Sequence, residues 1–581
     1  MIHYRLSYKN PQHRFLAVEV KIPVLSDKKI QVQLPSWRPG RYELGNFAKN
    51  VRNFQVKNEK GNAVPFSKLN KDLWEIIAKG ETEIIVSYHY YAADLNAGST
   101  YIDEKQLYVN PVNCCIYVPS RIDESSQFTV EVPAGWEMAC GMKNSKSNGD
   151  ACSVFHMQPG SFHELADSPF IVSPQFHHRE YRVDQTLFHI WFNGECRPDW
   201  DRILNDFSAF TKKQIQAYGA FPVDEYHFLI QILPVQFYHG VEHQTSSVNA
   251  LGPGYELMRD RYDDLLGLCS HELYHAWNIK SIRPAEMWPY RYQEENYFKT
   301  GYVAEGVTTY MGDYFLLASG VFSVSNYLSE LSAQLQKHLD NFGRKNYSVA
   351  DSSWDTWLDG YVPGVPERKV SIYTEGCLLA FMTDVLIMKH SKNKFRLHDV
   401  MKKLYTEYYL KGKGYMASDY RAEVESFAGT GLCEFFDTLV NGKQDYIPTL
   451  QKCLEYVGLE ISSLDPATAA EKFYGIKITD AASGSIITAI HPDEPAYHCG
   501  ISLGDKLISI NGYQVNSDAN KWIAYFAGET LDFICMRNSE LKKIQIPTAE
   551  NGGFRSWKVT RLEKISAEQQ KNFNLWSTLT N

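Results

Sequence analysis

Ser270-His271-Glu272-Leu273-Tyr274-His275-Ala276-Trp277-Asn278 contains an H-E-x-x-H motif. Residues four apart on an α-helix share a face, so the imidazoles of His271 and His275 can reach one metal ion, and Glu272 projects toward a water on that ion. This spacing supports metal-assisted hydrolysis. With 18 histidines and 68 acidic residues in 581 positions, an H-[DE]-x-x-H match arises by chance about 0.07 times per chain. A third ligand and groups that hold substrate are therefore needed elsewhere before the motif decides anything.

Working outward, Asp263 and Asp264 sit where acidic groups favour the start of the motif helix. Upstream, residues 226–233 form a continuous apolar run typical of a buried strand, and residues 240–247 alternate as an edge strand does. Before them, apolar residues three and four apart over 200–210 predict an amphipathic helix, preceded by a strand near 187–192. Downstream, a Pro- and Tyr-rich connection leads to a second helix over 303–316, with further helices at 377–388 and 397–404.

The ends of the chain differ in character. From Met1 to about Pro174, short alternating or β-branched runs at 17–22, 30–34, 84–90 and 128–132 predict a β-sandwich with little helix. Within it, Pro35-Ser36-Trp37-Arg38-Pro39-Gly40-Arg41-Tyr42 reads most simply as a Pro/Gly turn packed by an aromatic, with a cleft-lining role as the other reading. After about residue 455 the β pattern returns at 484–490 and 500–512, and the last thirty or so residues are a polar tail with helical character.

At 581 residues the chain should divide into three or four units. A net charge of −9 with no Lys/Arg block argues against nucleic acid as a partner. No run approaches 18 apolar residues, so no membrane span is expected. The start shows no basic segment followed by an apolar one, which predicts a cytoplasmic chain, or a secreted or periplasmic one if a leader has been removed. Eleven scattered cysteines, without C-x-x-C, read as reduced thiols.

A catalytic zinc takes three protein ligands plus water, and Glu305 on the following helix is the best third candidate. Residues 271–284 with Ala304-Glu305-Gly306-Val307-Thr308 closely resemble the glycyl aminopeptidase family of gluzincin metallopeptidases that carry a PDZ tail. The resemblance extends to residues 35–40, Gly240-Val241-Glu242-His243 and 500–512. It implies one Zn2+ per chain held by His271, His275 and Glu305, and a multidomain α+β architecture. The expected domains are a β-sandwich-like one at 1–175, a thermolysin-like, mainly helical catalytic domain at 176–455, a PDZ domain at 456–550 and a tail at 551–581.

Three further roles follow. Glu272 is the general base for the zinc water and then the acid for the departing amine. Glu242, on the edge strand, is placed to hold the α-ammonium of a peptide with a free N-terminus, and its segment resembles the G-x-x-E-N of wider gluzincin aminopeptidases. Tyr373 is the candidate donor to the oxyanion, by resemblance to a tyrosine that precedes x-K-G in related gluzincins. Two residues depart from pattern: Glu375 stands where Lys is usual, and Thr309 stands where an Asp would steady a ligating histidine. Residues 500–512 resemble the PDZ core G-x-x-x-G-D-x-L-x-x-I-N-G, a fold that captures peptide C-termini by strand addition.

The expectation is thus a zinc aminopeptidase that releases small residues, Gly or Ala, from peptides, the preference being implied by the resemblance. A zinc endopeptidase and a catalytically silent PDZ scaffold are the alternatives.

Overall fold

Burial alternates residue by residue along Phe15–Pro23 and Glu83–Tyr91, so each strand turns one apolar face inward. These strands lie in a seven-stranded sheet ordered Asn144–Asn148, Cys152–Met157, Ser126–Pro133, Ile2–Ser7, Phe15–Pro23, Glu83–Tyr91, Val51–Asn58. A three-stranded sheet (Lys29–Gln33, Leu73–Ile77, Phe66–Lys68) and a four-stranded one (Glu137–Cys140, Phe170–Ser173, Leu107–Val109, Tyr101–Ile102) share a core with it, through Leu6, Val18, Val86, Val32, Ile76, Leu107 and Val172. The N-terminal region is β-rich, as its alternating runs predict. In this computed structural model the described residues are 1–25, 28–149, 151–361, 364–549 and 553–579.

That core does not stop at residue 175. Tyr290, Tyr292, Phe298, Ala304, Trp357 and Ile372, all downstream of the H-E-x-x-H stretch, belong to it. Met1–Tyr327, Gly343–Val457 and Ala567–Asn581 accordingly form one compact unit, and Leu328–Phe342 with Gly458–Ser566 a second.

In the first unit a five-stranded sheet supports the motif helix. Its order is His177–Val183, Thr186–Asn193, Glu225–Ile232, Ser246–Gly252, Phe237–Glu242. The middle strands are parallel, and the helix Trp200–Tyr218 makes the crossover between Thr186–Asn193 and Glu225–Ile232. Phe237–Glu242 is the antiparallel edge strand, as the alternation at 240–247 predicts, although the chain turns back after Glu242 and Ser246 begins an inner strand. The helices Tyr262–Tyr274, Thr308–Ala318, Ile372–His390 and Leu397–Glu407 follow. Asp263 and Asp264 occupy the first turn of the motif helix.

The C-terminal region re-enters the first unit. Helix Ala567–Ser577 buries Trp576 completely against Tyr314, Tyr327 and Phe381. The Trp576 indole N–H donates to the Tyr310 hydroxyl at 3.1 Å, and the Arg396 guanidinium donates to the carbonyls of Leu575 and Trp576.

The second unit holds a six-stranded sheet built on the path Ile476–Ala481, Gly484–Ile490, Lys506–Ile510, Leu531–Arg537, Glu540–Ile546, with Tyr513–Gln514 paired to Lys506–Ile510. Tyr474, Ile487, Leu507, Ile523, Leu531 and Phe533 fill its core. Leu459–Leu464 pairs with Ser556–Arg561. The expected boundary at 550/551 lies outside the described residues. Among those described, no helix is long and apolar enough to cross a membrane.

Candidate metal centre and active site

The motif helix ends at Tyr274, and His275 continues in helical backbone as its cap, which keeps the four-residue spacing of the histidines. Their Nε2 atoms lie 3.1 Å apart. Glu305 arrives from the chain after the Tyr-rich connection, inside a π-helical turn, Tyr302–Val307. Such turns wind wider than an α-helix and recur at functional sites. Glu305 Oε2 stands 3.4 Å from His275 Nε2 and 3.9 Å from His271 Nε2. Three donors 2.0–2.2 Å from one tetrahedral zinc would be separated by about 3.3–3.5 Å, so the trio has the span of a three-ligand site.

Outer contacts aim these ligands. His275 Nδ1 donates to the Asn278 carbonyl at 2.5 Å, leaving Nε2 for the metal side. The Asn278 side chain donates to the carbonyls of Val303 and Ala304, tying the end of the motif helix to the π-helical turn. The Tyr42 hydroxyl donates to Glu305 Oε1 at 2.8 Å. Thr309, expected beside a histidine, instead returns its hydroxyl to the Glu305 carbonyl at 2.8 Å, as threonines inside helices commonly do. Its neighbour Thr308 reaches the Asn278 carbonyl at 3.2 Å.

Glu242 and Glu272 complete the cluster. Carboxylate oxygens of both, with a His275 nitrogen, lie within 4.8 Å of one another. Glu242 Oε1 and Glu272 Oε2 are buried without a hydrogen-bond partner. Three buried carboxylates thus face two imidazoles. Burial pushes the Glu272 carboxyl well above the usual range, and the Glu242 and Glu305 charges push it further. Burial opposes a proton on His275, but the same two glutamates outweigh it and push the imidazole up to about 10. An excess of buried negative charge with orphaned oxygens is the setting that a divalent cation satisfies. The donor set, two imidazoles and a carboxylate, suits zinc.

Glycines let these groups converge. A Cβ on Gly240 would collide with the Glu272 carboxylate, and one on Gly306 would collide with the backbone of Gly376, so the π-helical turn and the helix Ile372–His390 touch back to back. That contact brings Tyr373, in the first turn of the latter helix, over the site, with its ring 6.5 Å from that of His271. The Tyr361 hydroxyl is 3.4 Å from the Tyr373 hydroxyl, a second phenol at the rim. Glu375 is buried in the same helix.

The edge strand is braced from behind. Asp167 accepts from the Lys280 ammonium at 2.6 Å, lies 3.1 Å from His243 Nδ1 and accepts from the Gln244 backbone at 2.9 Å. Burial alone would raise the Asp167 carboxyl, but Lys280 and His243 hold it well below the usual carboxylate range. His243 thus supports the strand, and Glu242 beside it is held toward the cluster.

Sequence reading missed Tyr42, Asn278 and Tyr361 as site groups. Asn278 lies in a segment that carries the family resemblance, and Tyr42 lies two residues beyond another, which was the available signal; Tyr361 carries none.

Residues 3–174 match the Peptidase M61 N-terminal domain, and residues 264–379 match the M61 glycyl aminopeptidase family. Among solved structures, the chain is similar to an aminopeptidase N family protein from Idiomarina loihiensis, with 25% identity over 100% of both chains and a TM-score of 0.90. An M1 zinc metallopeptidase from Deinococcus radiodurans aligns at 13% identity over 76% of this chain and 94% of that one, with a TM-score of 0.48. No curated protein matches.

Proposed function

Because the chain belongs to the M61 glycyl aminopeptidase family, we propose that it is a zinc-dependent aminopeptidase of gluzincin type, releasing N-terminal Gly or Ala from peptides. The observation that carries this reading is the position of Glu242. A buried carboxylate with a free oxygen lies within 4.8 Å of both Glu272 and His275, where it can hold the α-ammonium of a substrate whose first carbonyl is at the metal. An endopeptidase has no use for such a group.

In this mechanism His271, His275 and Glu305 hold one zinc, which when bound acidifies a water and polarises the scissile carbonyl. Glu242 fixes the amine end and so the register of the first peptide bond. Glu272 takes the proton of the attacking water and returns it to the departing amine. Tyr373 donates its hydroxyl proton in a hydrogen bond to the carbonyl oxygen as charge gathers there. Tyr361, within reach of that hydroxyl, orients it. The thermolysin-like reading of the catalytic region rests on the parallel sheet, the antiparallel edge strand and the order of motif helix and ligand helix.

Residues 456–550 we read as a PDZ domain. The order strand, strand, helix, strand, strand, helix, strand, strand from Ile476 to Ile546 supports this, together with the motif at 500–512. Peptide C-termini are its expected ligands.

The test uses glycyl and alanyl arylamides beside their N-acetylated forms. Wild-type protein is expected to cleave only the free-amine substrates, and Glu272→Gln to bind zinc normally yet turn over neither. Efficient cleavage of N-acetylated peptides would replace this reading by the endopeptidase one, and full activity in Glu272→Gln would end the mechanism.

A further inference from the structure

At the opposite edge of the five-stranded sheet from Phe237–Glu242, cross-strand register collects a second set of metal-ligating side chains. Glu180 on His177–Val183 faces His189 on Thr186–Asn193, and His178 faces Trp191. His189 in turn sits beside His227 of Glu225–Ile232. Residues i and i+2 of a strand share a face, so His178, Glu180, His189, Trp191, Glu225 and His227 all project from one side of the sheet.

Their spacing is that of a ligand set. His178 Nε2 lies 3.1 Å from His189 Nδ1, and Glu180 Oε2 lies 3.7 Å from the same nitrogen. The catalytic trio has nitrogens 3.1 Å apart and carboxylate distances of 3.4 and 3.9 Å. Both groups therefore span the edges of one coordination tetrahedron, about 3.3–3.5 Å for zinc.

The rings are also held. His178 stacks on Trp191 with centroids 3.6 Å apart, and His189 stacks on His227 at 4.3 Å. The Trp191 indole N–H donates to His227 Nδ1 at 3.2 Å. His227 is thereby engaged as an acceptor, and it acts as the support of His189. Glu225 and His227 border an adjoining cavity of about 340 Å³, which gives the cluster access to solvent.

We propose that His178, Glu180 and His189 form a second metal site, for a first-row divalent transition ion such as Zn2+, with water completing the shell. Two imidazoles and one carboxylate suit that class and not Ca2+ or Mg2+, which prefer oxygen donors. The site lies four strands from the edge strand beside the catalytic cluster, roughly 15–20 Å at ~4.8 Å per strand. Its ligands come from the two strands of the outer hairpin, so bound metal cross-links the edge strand His177–Val183 to Thr186–Asn193; it takes no part in turnover. The proposal is independent of the aminopeptidase reading.

The experiment strips full-length protein of metal, equilibrates it with micromolar buffered Zn2+ and counts bound metal by mass spectrometry of the digested sample. Wild type is expected to retain two equivalents, and His189→Ala and Glu180→Gln one, with arylamide hydrolysis within about two-fold of wild type. His271→Ala is expected to keep one equivalent while losing hydrolysis. Replacing Zn2+ by Co2+ should give visible absorption from two sites in wild type and from one in each variant. Retention of a single equivalent by wild type, with none in His271→Ala, would mean a histidine–histidine hydrogen bond only, and would overturn the proposal. Two equivalents in both His189→Ala and Glu180→Gln would overturn it equally. Glu180→Gln, at an exposed side chain, guards against a fold defect in the histidine variant.

Discussion

Replacing Tyr42 by Phe removes one hydroxyl from the metal centre and nothing else. That hydroxyl donates to Glu305 Oε1 at 2.8 Å from a wholly buried ring packed on Phe298. Phenylalanine fills the same space, so the core should repack without a cavity. What is lost is one hydrogen bond to a charged group, about 1.5–3 kcal/mol, and with it the restraint that points the carboxylate at the metal. Loss of such an outer partner typically lowers metal affinity or activity about 10–100-fold, or about 1.4–2.8 kcal/mol at ~1.4 kcal/mol per factor of ten. The two estimates agree. The assay is competition for Zn2+ against a chromophoric chelator at neutral pH, with Tyr373→Phe as the control, since Tyr373 has no hydrogen bond to a ligand. Tyr42→Phe should bind zinc at least about 10-fold more weakly and regain most turnover at saturating zinc; Tyr373→Phe should bind zinc as wild type does and turn over slowly. Zinc affinity in Tyr42→Phe within about two-fold of wild type would refute the claim that the N-terminal β-rich region steadies the metal.

Two other perturbations test the supports of the site. Trp576→Ala empties a fully buried indole position and breaks the bond to Tyr310; it should destabilise the first unit by about 3–5 kcal/mol, read as a lower calorimetric Tm, and an unchanged Tm would show that the C-terminal helix is dispensable. Asp167→Asn leaves Lys280, only 2% exposed, without its partner, at a cost of about 3–5 kcal/mol near neutral pH. Because the folded-state pKa of Asp167 is lowered, its contribution is complete above the unfolded-state value of about 3.9 and fades as pH falls below it. Denaturant titrations at neutral pH and near pH ~3 should therefore show the penalty shrinking in acid, and a pH-independent penalty would contradict the pairing.

Periodicity made the elements readable and left their tertiary use unread. The motif helix, the edge strand and the alternating N-terminal strands follow from local pattern, because burying one face imposes a period of 3.6 or 2 on the residues that form it. Glu305 and Glu242 were named from motif context; in the structure Glu305 lies beside His271 and His275, and Glu242 beside Glu272 and His275. The segment at 35–42 shows where local reasoning ends. Trp37 is the packed aromatic of the simple reading, edge-on to Tyr290 and Trp357, yet Tyr42, five residues on, touches a carboxylate 263 positions away. No spacing rule encodes a contact of that length. Thr309 failed for another reason: the π-helical turn widens the coil, and the carbonyl of Asn278 already occupies the place beside His275. His178 and His189 were invisible as a pair because they belong to different strands and only the register makes them diagonal neighbours.

Helix Ala567–Ser577 gives the chain an order of completion. The first unit is interrupted by the second and closed by residues translated after it. Synthesis runs from the N-terminus, and domains generally fold as they emerge, but Trp576 and the carbonyls that Arg396 caps are made after the second unit. The helix Thr308–Ala318, which follows directly on Glu305, and the helix Ile372–His390, which carries Tyr373, therefore wait for their final neighbour until the whole second unit has left the ribosome. A nascent copy holds its metal ligands before it holds the wall behind them. The fold thus delays the final packing behind these two helices until the chain beyond residue 566 has been made.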